Sequence, residues 1–120
     1  MSENFSAAEF FCPCPARCVG KRDPHPSLPL KLEVVRQFVG RPLALNSGVR
    51  CPEHNLSVGG VPGSEHETGE GADIRISGSK ERMDLVRAAI KAGIRRIGVA
   101  KTFVHVGVSR RHDQDVLWLY

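Results

Sequence analysis

The chain has 120 residues, which is enough for one domain over residues 1–120 and leaves no room for a second hydrophobic core. Hydrophobic residues make up 41% and charged residues 25%, which excludes a disordered chain. The net charge of +4 suits anionic partners such as nucleic acid, teichoic acid or peptidoglycan, and it does not choose among them. Aromatic residues make up only 6% of the chain and form no base-stacking stripe, so we expect no nucleic-acid partner.

The N-terminal sequence MSENFSAAEFF lacks the basic region and the apolar region of a secretory signal. No apolar run approaches the roughly 20 residues that a membrane span needs. We therefore expect a soluble monomer made in the cytoplasm, with no membrane span. If its substrate lies outside the membrane, another agent must release it, or a leader is missing from this sequence.

The first part of the chain predicts two helices separated by a loop. Ser6 with Glu9 three residues later resembles a capping box and predicts a short helix. Four prolines between residues 12 and 27 predict the loop. A second helix ends at Gly40, and its inward face is predicted from the spacing of Leu30, Val34, Val35 and Phe38.

The rest of the chain predicts mainly strands. One further helix, capped by Ser79 and running to Ala92, is predicted to face inward with Leu85, Val86, Ala89 and Ile90. A helical turn or two is predicted over 52–58. The predicted strands are 43–46, 72–76, 96–99, 103–108 and 116–119. This order favours a small α+β domain with a mostly antiparallel sheet packed by helices.

The chain has four cysteines, Cys12, Cys14, Cys18 and Cys51, and their role leaves three alternatives open. They are incidental or buried thiols, or a disulfide that ties the N-terminal segment to the loop at Cys51. As a third alternative they bind a second metal, although their spacing is not that of a standard zinc knuckle.

Two histidines and one aspartate are the candidate ligands of a metal ion. His66 and Asp73 lie seven residues apart with Gly69 and Gly71 between them, so a glycine turn would bring them together. His105 stands alone among apolar residues on a predicted strand, where a buried polar group needs a partner.

Two histidines and a carboxylate leave the fourth tetrahedral position open, as in catalytic zinc sites. Zinc lowers the pKa of a bound water from about 15.7 towards 7. The His–Asp spacing alone is a weak signal, and each histidine taken singly is equally an ordinary hydrogen-bonded residue.

These residues carry a resemblance. The segments SGVRCPEHN, VGGVPGSEHETGEGADI and RRIGVAKTFVHVGV, with the closing VLWLY, resemble the M15 family of zinc D-Ala-D-Ala carboxypeptidases, in its short bacterial and phage branch. The resemblance implies the hedgehog/D-Ala-D-Ala peptidase fold and Zn²⁺ held by His66, Asp73 and His105. It also implies an activity on the cell wall and allows a phage-encoded protein.

The resemblance also implies two substrate-binding residues, Arg50 and Ser64. A guanidinium grips a terminal carboxylate with two hydrogen bonds. The Ser64 hydroxyl would hold a substrate backbone group. The alternatives are an arginine that bonds a loop carbonyl and a serine that only caps a turn.

The general base is the point at which the sequence departs from the family. Relatives carry a carboxylate three residues before the last histidine, where this chain has Thr102, or an Asp two residues after it, where this chain has Gly107. We select His112 and Asp113 as catalytic candidates, because they follow the ligand strand closely. The other candidates are Glu65, Glu67, Glu70 and His54.

Two functions follow. The first is a zinc peptidase that hydrolyses bonds next to D-amino acids in peptidoglycan stem peptides, as a D-Ala-D-Ala carboxypeptidase or an endolysin-type endopeptidase. The alternative is a zinc-containing module that has lost its base and binds the cell wall.

Overall fold

A computed structural model describes residues 2–13 and 23–120 of the chain. A single 3₁₀ turn over Ala7–Phe10 comes first, with the predicted capping box between Ser6 and Glu9. The remaining elements, in chain order, are α1 (Ser27–Val39), β1 (Leu45–Ser47), α2 (Pro52–Ser57), β2 (Gly71–Arg75), α3 (Gly78–Lys91), β3 (Arg96–Val99), β4 (Phe103–Gly107) and β5 (Val116–Leu119). None of the described helices has the length and apolar character that crossing a membrane requires.

Helix α1 ends at Gly40 as predicted, but the predicted inward face is wrong apart from Val35. Gly40 adopts a left-handed φ of 78°, the conformation that glycine reaches without strain. Leu30 is 65% exposed, Phe38 53% and Val34 37%. Two apolar stripes of similar spacing run along this helix, and packing selects the other one. The buried residues of α1 are Leu28, Pro29, Leu32 and Val35.

Helix α3 also differs in detail from its prediction. Its N-cap is Ser77 rather than Ser79, and Ile90 is 60% exposed rather than buried. Leu85 and Ala89 are buried as predicted, and Val86 packs partly against the core. The buried face of α3 therefore includes Leu85 and Ala89 but not Ile90. This face is the one that contacts α1 and strands β3 and β4.

The five strands form one sheet in the order β1-β2-β4-β3-β5. The pairs β1–β2, β2–β4 and β3–β4 are antiparallel, whereas β5 joins β3 in parallel. The predicted α+β class is confirmed, with a mixed sheet that is antiparallel in all but its last pairing. The parallel pairing of β5 with β3 could not be predicted from the strands themselves, because it depends on the path of the 108–115 segment that joins β4 to β5.

The two faces of the sheet carry different residues. Ala72, Ile74, Val104, Val106 and Ile97 share the core with the buried side chains of α1 and α3. Side chains alternate between faces along a strand, so the residues between these point the other way. That second face carries Asp73, His105 and Trp118.

The α1 register gives a direct test of the core. We expect Leu32→Ala to lower the free energy of unfolding by about 2–5 kcal/mol, because it removes a fully buried side chain and leaves a cavity. The matched control is Leu30→Ala, which makes the same change at an exposed position of the same helix. We expect it to change stability by no more than about 0.5 kcal/mol in urea unfolding. Equal losses in the two variants would contradict this packing.

Candidate metal centre

Strand pairing places Asp73 directly beside His105. The two residues are opposite partners in the antiparallel β2–β4 register, and Gly98 and Trp118 continue the same row across β3 and β5. Opposite residues of adjacent strands carry side chains on one face, with Cβ atoms about 5 Å apart. Asp73 Oδ1 consequently lies 2.9 Å from His105 Nδ1.

His66 reaches the same point from the loop before β2. Gly69 turns this loop with a φ of 74°, so the glycine turn predicted between His66 and Asp73 is present. His66 Nδ1 donates to the carbonyl of Gly48 at 2.6 Å. Since a carbonyl only accepts, Nδ1 carries the proton. The other ring nitrogen, Nε2, lies 3.1 Å from Asp73 Oδ1.

The three side chains form a group that fits a metal ion. One donor atom from each of His66, Asp73 and His105 lies within 4.8 Å of the other two, and all three residues are buried. Two imidazole nitrogens and one carboxylate oxygen are the donor set of catalytic zinc sites. The residues present therefore fit zinc, and the assignment of the three as its ligands stays a prediction.

The electrostatics of the group are those of a buried charge cluster. Burial favours the neutral form of Asp73, but hydrogen bonds from His105 and His66 and their charges outweigh it and hold the pKa of Asp73 far below its ordinary value. Burial likewise opposes the charged form of His105, yet hydrogen bonds and charge attraction from Asp73 and Glu65 raise the pKa of its ring. A divalent cation would replace the protons in this cluster.

Arg50 is held against the outer oxygen of Asp73. Its Nη2 donates to Asp73 Oδ2 at 3.2 Å, Nε donates to Ser47 Oγ at 2.9 Å and Nη1 donates to Asn55 Oδ1 at 3.2 Å. A guanidinium has five N–H donors, so two remain after these contacts. Arg50 also lines the cleft beside the three candidate ligands.

Asn55 is a supporting residue that sequence reasoning missed. It is 1% exposed, and its amide nitrogen donates to the Val61 carbonyl at 2.9 Å and to Glu67 Oε2 at 2.8 Å. Its amide oxygen accepts from Arg50. Asn55 thus joins α2, the 59–63 loop and the arginine, and a single asparagine in a short helical turn gives no sequence signal of this role.

An open cleft of about 660 Å³ lies over the three candidate ligands. Trp118 and Tyr120 form one wall, and sequence reasoning missed both. The Trp118 ring centroid lies 5.5 Å from that of His105 and 6.4 Å from that of Tyr120. Alternation along β5 could have placed both on one face, but not beside His105. The opposite rim is the 58–64 loop.

Of the other predicted site residues, Ser64 and His112 line the cleft and Asp113 does not. Ser64 lines the cleft, and its hydroxyl accepts from the backbone N–H of His66 at 3.1 Å. His112 also lines the cleft, with Nδ1 2.8 Å from Ser109 Oγ and Nε2 3.2 Å from the Gly63 carbonyl. Asp113 has an exposed side chain, and its backbone carbonyl accepts from Arg96. Their catalytic roles stay predictions.

Glu65 lines the cleft beside His105, but its side chain is only 2% exposed. Its Oε1 lies 3.0 Å from His105 Nε2, and its Oε2 accepts from the backbone N–H of Ser109 at 3.1 Å. Arg96 Nε lies 3.1 Å from Oε1, an ion pair without hydrogen-bond alignment. Burial favours the neutral acid, but these contacts outweigh it and lower the pKa of Glu65.

The predicted disulfide or second metal would involve Cys12 and Cys51, which lie close together in the fold. The sulfurs of Cys12 and Cys51 lie 3.8 Å apart, and the backbone N–H of Cys51 points to Cys12 Sγ at 3.4 Å. A disulfide bond is about 2.05 Å long. Two sulfurs on one tetrahedral zinc lie about 3.8 Å apart. Cys14 and Cys18 lie outside the described residues, so the tether and the second metal both stay predictions.

A comparison with protein families identifies one match. The family described as Peptidase M15 matches residues 3–108, which includes all three candidate ligands and Arg50. No curated protein matches the chain.

Metal content tests the candidate ligands. We expect purified His66→Ala to bind about one zinc ion per chain less than the unchanged protein, because two ligands hold zinc poorly. The control is His25→Ala, which removes an exposed imidazole. Elemental analysis after dialysis measures both, and the difference is independent of any zinc on the cysteines. Equal zinc in His66→Ala and the unchanged protein would exclude His66 as a ligand.

Proposed function

Because the chain belongs to the M15 peptidase family, we propose that it is a zinc peptidase that hydrolyses peptide bonds next to D-amino acids in peptidoglycan stem peptides. Family membership supports a peptidase of the zinc type. The bond and the substrate class are our proposal, which rests on the resemblance of the sequence to the D-Ala-D-Ala carboxypeptidases of this family. A basic chain with a net charge of +4 suits the anionic cell wall.

One observation carries the proposal: two histidines and one aspartate converge at the floor of an open cleft. Zinc held there would act as a Lewis acid on a peptide carbonyl and make water acidic enough to attack at neutral pH. The chain itself binds the peptide, aligns its carbonyl with the cleft floor and moves the protons. The cleft of about 660 Å³ has room for a short peptide.

The free donors of Arg50 favour a substrate with a C-terminal carboxylate, which the guanidinium would bind. Two of its N–H groups remain for substrate once Asp73, Ser47 and Asn55 are bound. A planar guanidinium binds a carboxylate with two parallel hydrogen bonds. A carboxypeptidase needs such a contact, because the released residue carries the free carboxylate.

For proton transfer we propose His112. It lines the same cleft as the candidate ligands, and its ring contacts Ser109 Oγ and the Gly63 carbonyl. An imidazole exchanges protons near neutral pH. Glu65 is less suited, since its side chain is 2% exposed and its charge is already paired with Arg96, whereas His112 is half-buried.

The direct test is hydrolysis of defined muropeptides. We expect the zinc-loaded protein to release D-Ala from a pentapeptide monomer, followed by mass spectrometry, and His66→Ala to release none. We expect His112→Ala to keep its zinc and to lose about 10²–10⁴-fold in rate, the usual contribution of a general base. His25→Ala is the control.

The outcomes separate the two candidate functions. Cleavage of cross-linked dimers without D-Ala release would make the protein an endopeptidase. Full zinc occupancy with binding to cell-wall sacculi and no cleavage of either substrate would exclude the peptidase activity and favour the wall-binding module.

Arg50 gives a prediction on specificity. We expect Arg50→Lys to raise KM for the pentapeptide about tenfold or more, because a lysine keeps the charge but not the paired hydrogen bonds. A pentapeptide with a C-terminal amide is the matched substrate. It should bind the unchanged protein weakly and should lose little more in Arg50→Lys. An equal loss on both substrates would contradict a carboxylate contact.

A further inference from the structure

Two glycines that face each other across β2 and β4 open a space beside the candidate metal centre. Gly71 and Gly107 are opposite partners in the antiparallel register. A Cβ atom on Gly71 would lie 2.7 Å from His105 Cε1, and one on Gly107 would lie 2.1 Å from both carboxylate oxygens of Glu65. Atoms that are not bonded to each other essentially never come this close, so a side chain at either position would have to displace its neighbour.

The carboxylate of Glu65 fills the space over Gly107. It comes from the loop residue next to His66, and Glu65 is 3% exposed. Its Oε1 is 3.0 Å from His105 Nε2 and its Oε2 is 3.1 Å from the backbone nitrogen of Ser109. A buried carboxylate costs free energy unless it is paired. The ring of His105 and the backbone beyond β4 provide the pairing.

This contact determines which nitrogen of His105 faces the candidate ligands. An ionised carboxylate only accepts hydrogen bonds, so Nε2 beside Glu65 carries the proton. Nδ1 lies 2.9 Å from Asp73 Oδ1. If a cation replaced the proton between these two atoms, Nδ1 would be the nitrogen that offers the cation a lone pair. Trp118 packs beside the ring, with centroids 5.5 Å apart, and limits its rotation.

We propose that Glu65 is a positioning residue: from the space over Gly107, it holds the His105 ring with Nε2 protonated and Nδ1 directed at the metal. The proposal rests on the zinc site of the proposed function, but not on the bond that is cleaved. A carboxylate behind a metal-binding histidine orients the ring and makes it a better ligand.

Zinc affinity is the first readout. We expect Glu65→Ala to bind zinc about 10- to 100-fold more weakly in competition with a chromophoric chelator, the usual effect of removing such a partner. The zinc affinity of Glu65→Gln should lie between those of the unchanged protein and Glu65→Ala. Its amide oxygen still accepts from His105 Nε2–H, but its NH₂ group faces the Ser109 N–H, which is also a donor. Glu53→Ala removes an exposed carboxylate from α2 and should bind zinc as the unchanged protein does. Circular dichroism verifies that each variant is folded.

A double-mutant cycle tests the space itself. We expect Gly107→Ala to weaken zinc binding, because its methyl group displaces the Glu65 carboxylate. In the Glu65→Ala background the same change should alter affinity by no more than about twofold, since the clash is gone. Equal effects in both backgrounds would overturn the coupling between the two residues.

The ring nitrogens are observed directly by long-range ¹H–¹⁵N NMR of the zinc-loaded protein. We expect His105 to bind through Nδ1 and to keep a slowly exchanging Nε2 proton, which exchanges faster in Glu65→Ala. Binding through Nε2, or unchanged affinity and exchange in Glu65→Ala, would overturn the proposal and leave the peptidase intact. An unchanged protein that takes up no zinc would overturn both.

Discussion

The carboxylate of Asp73 is the contact on which the site depends. Its Oδ1 is shared by His66 Nε2 and His105 Nδ1, and its Oδ2 is bound by Arg50. These partners come from a loop, a neighbouring strand and the turn after β1. A buried carboxylate with so many donors is stable only while all of them stay in place. The same convergence that makes the site costly to build makes it suited to a divalent cation.

The sheet makes this arrangement possible by separating two tasks. The face with Ile74, Val104 and Val106 packs against α1 and α3 and supplies the apolar core. The opposite face carries Asp73 and His105 on its central strands, where hydrogen bonds on both edges hold the backbone still. A rigid strand pair fixes two of the three candidate ligands, and only His66 depends on a loop. Such support from regular elements is what a precise metal geometry requires.

Glu65 gives a physical account of an anomaly in the sequence. The M15 resemblance leads one to look for an acid at position 102 or 107, where this chain has Thr102 and Gly107. In the structure a carboxylate does stand over Gly107, but it is that of Glu65, reaching in from the loop before β2. Its contacts with His105 and Ser109 suit it to hold the ring rather than to exchange protons with the cleft. We therefore assign the proton-transfer role to His112, which lines the same cleft.

The sequence by itself determined the α+β class, the approximate strand positions and the residues that converge, because alternation, glycine turns and a lone histidine among apolar residues are local patterns. The M15 family was indicated by the resemblance of whole segments. The sequence did not determine the inward face of α1, where two apolar stripes compete and only packing against α3 chooses Leu32 over Leu30. It also could not place Asn55, Trp118 or the Glu65 carboxylate. Their roles depend on which strands become neighbours and how loops return, and such contacts between residues distant in the chain exist only in the tertiary structure.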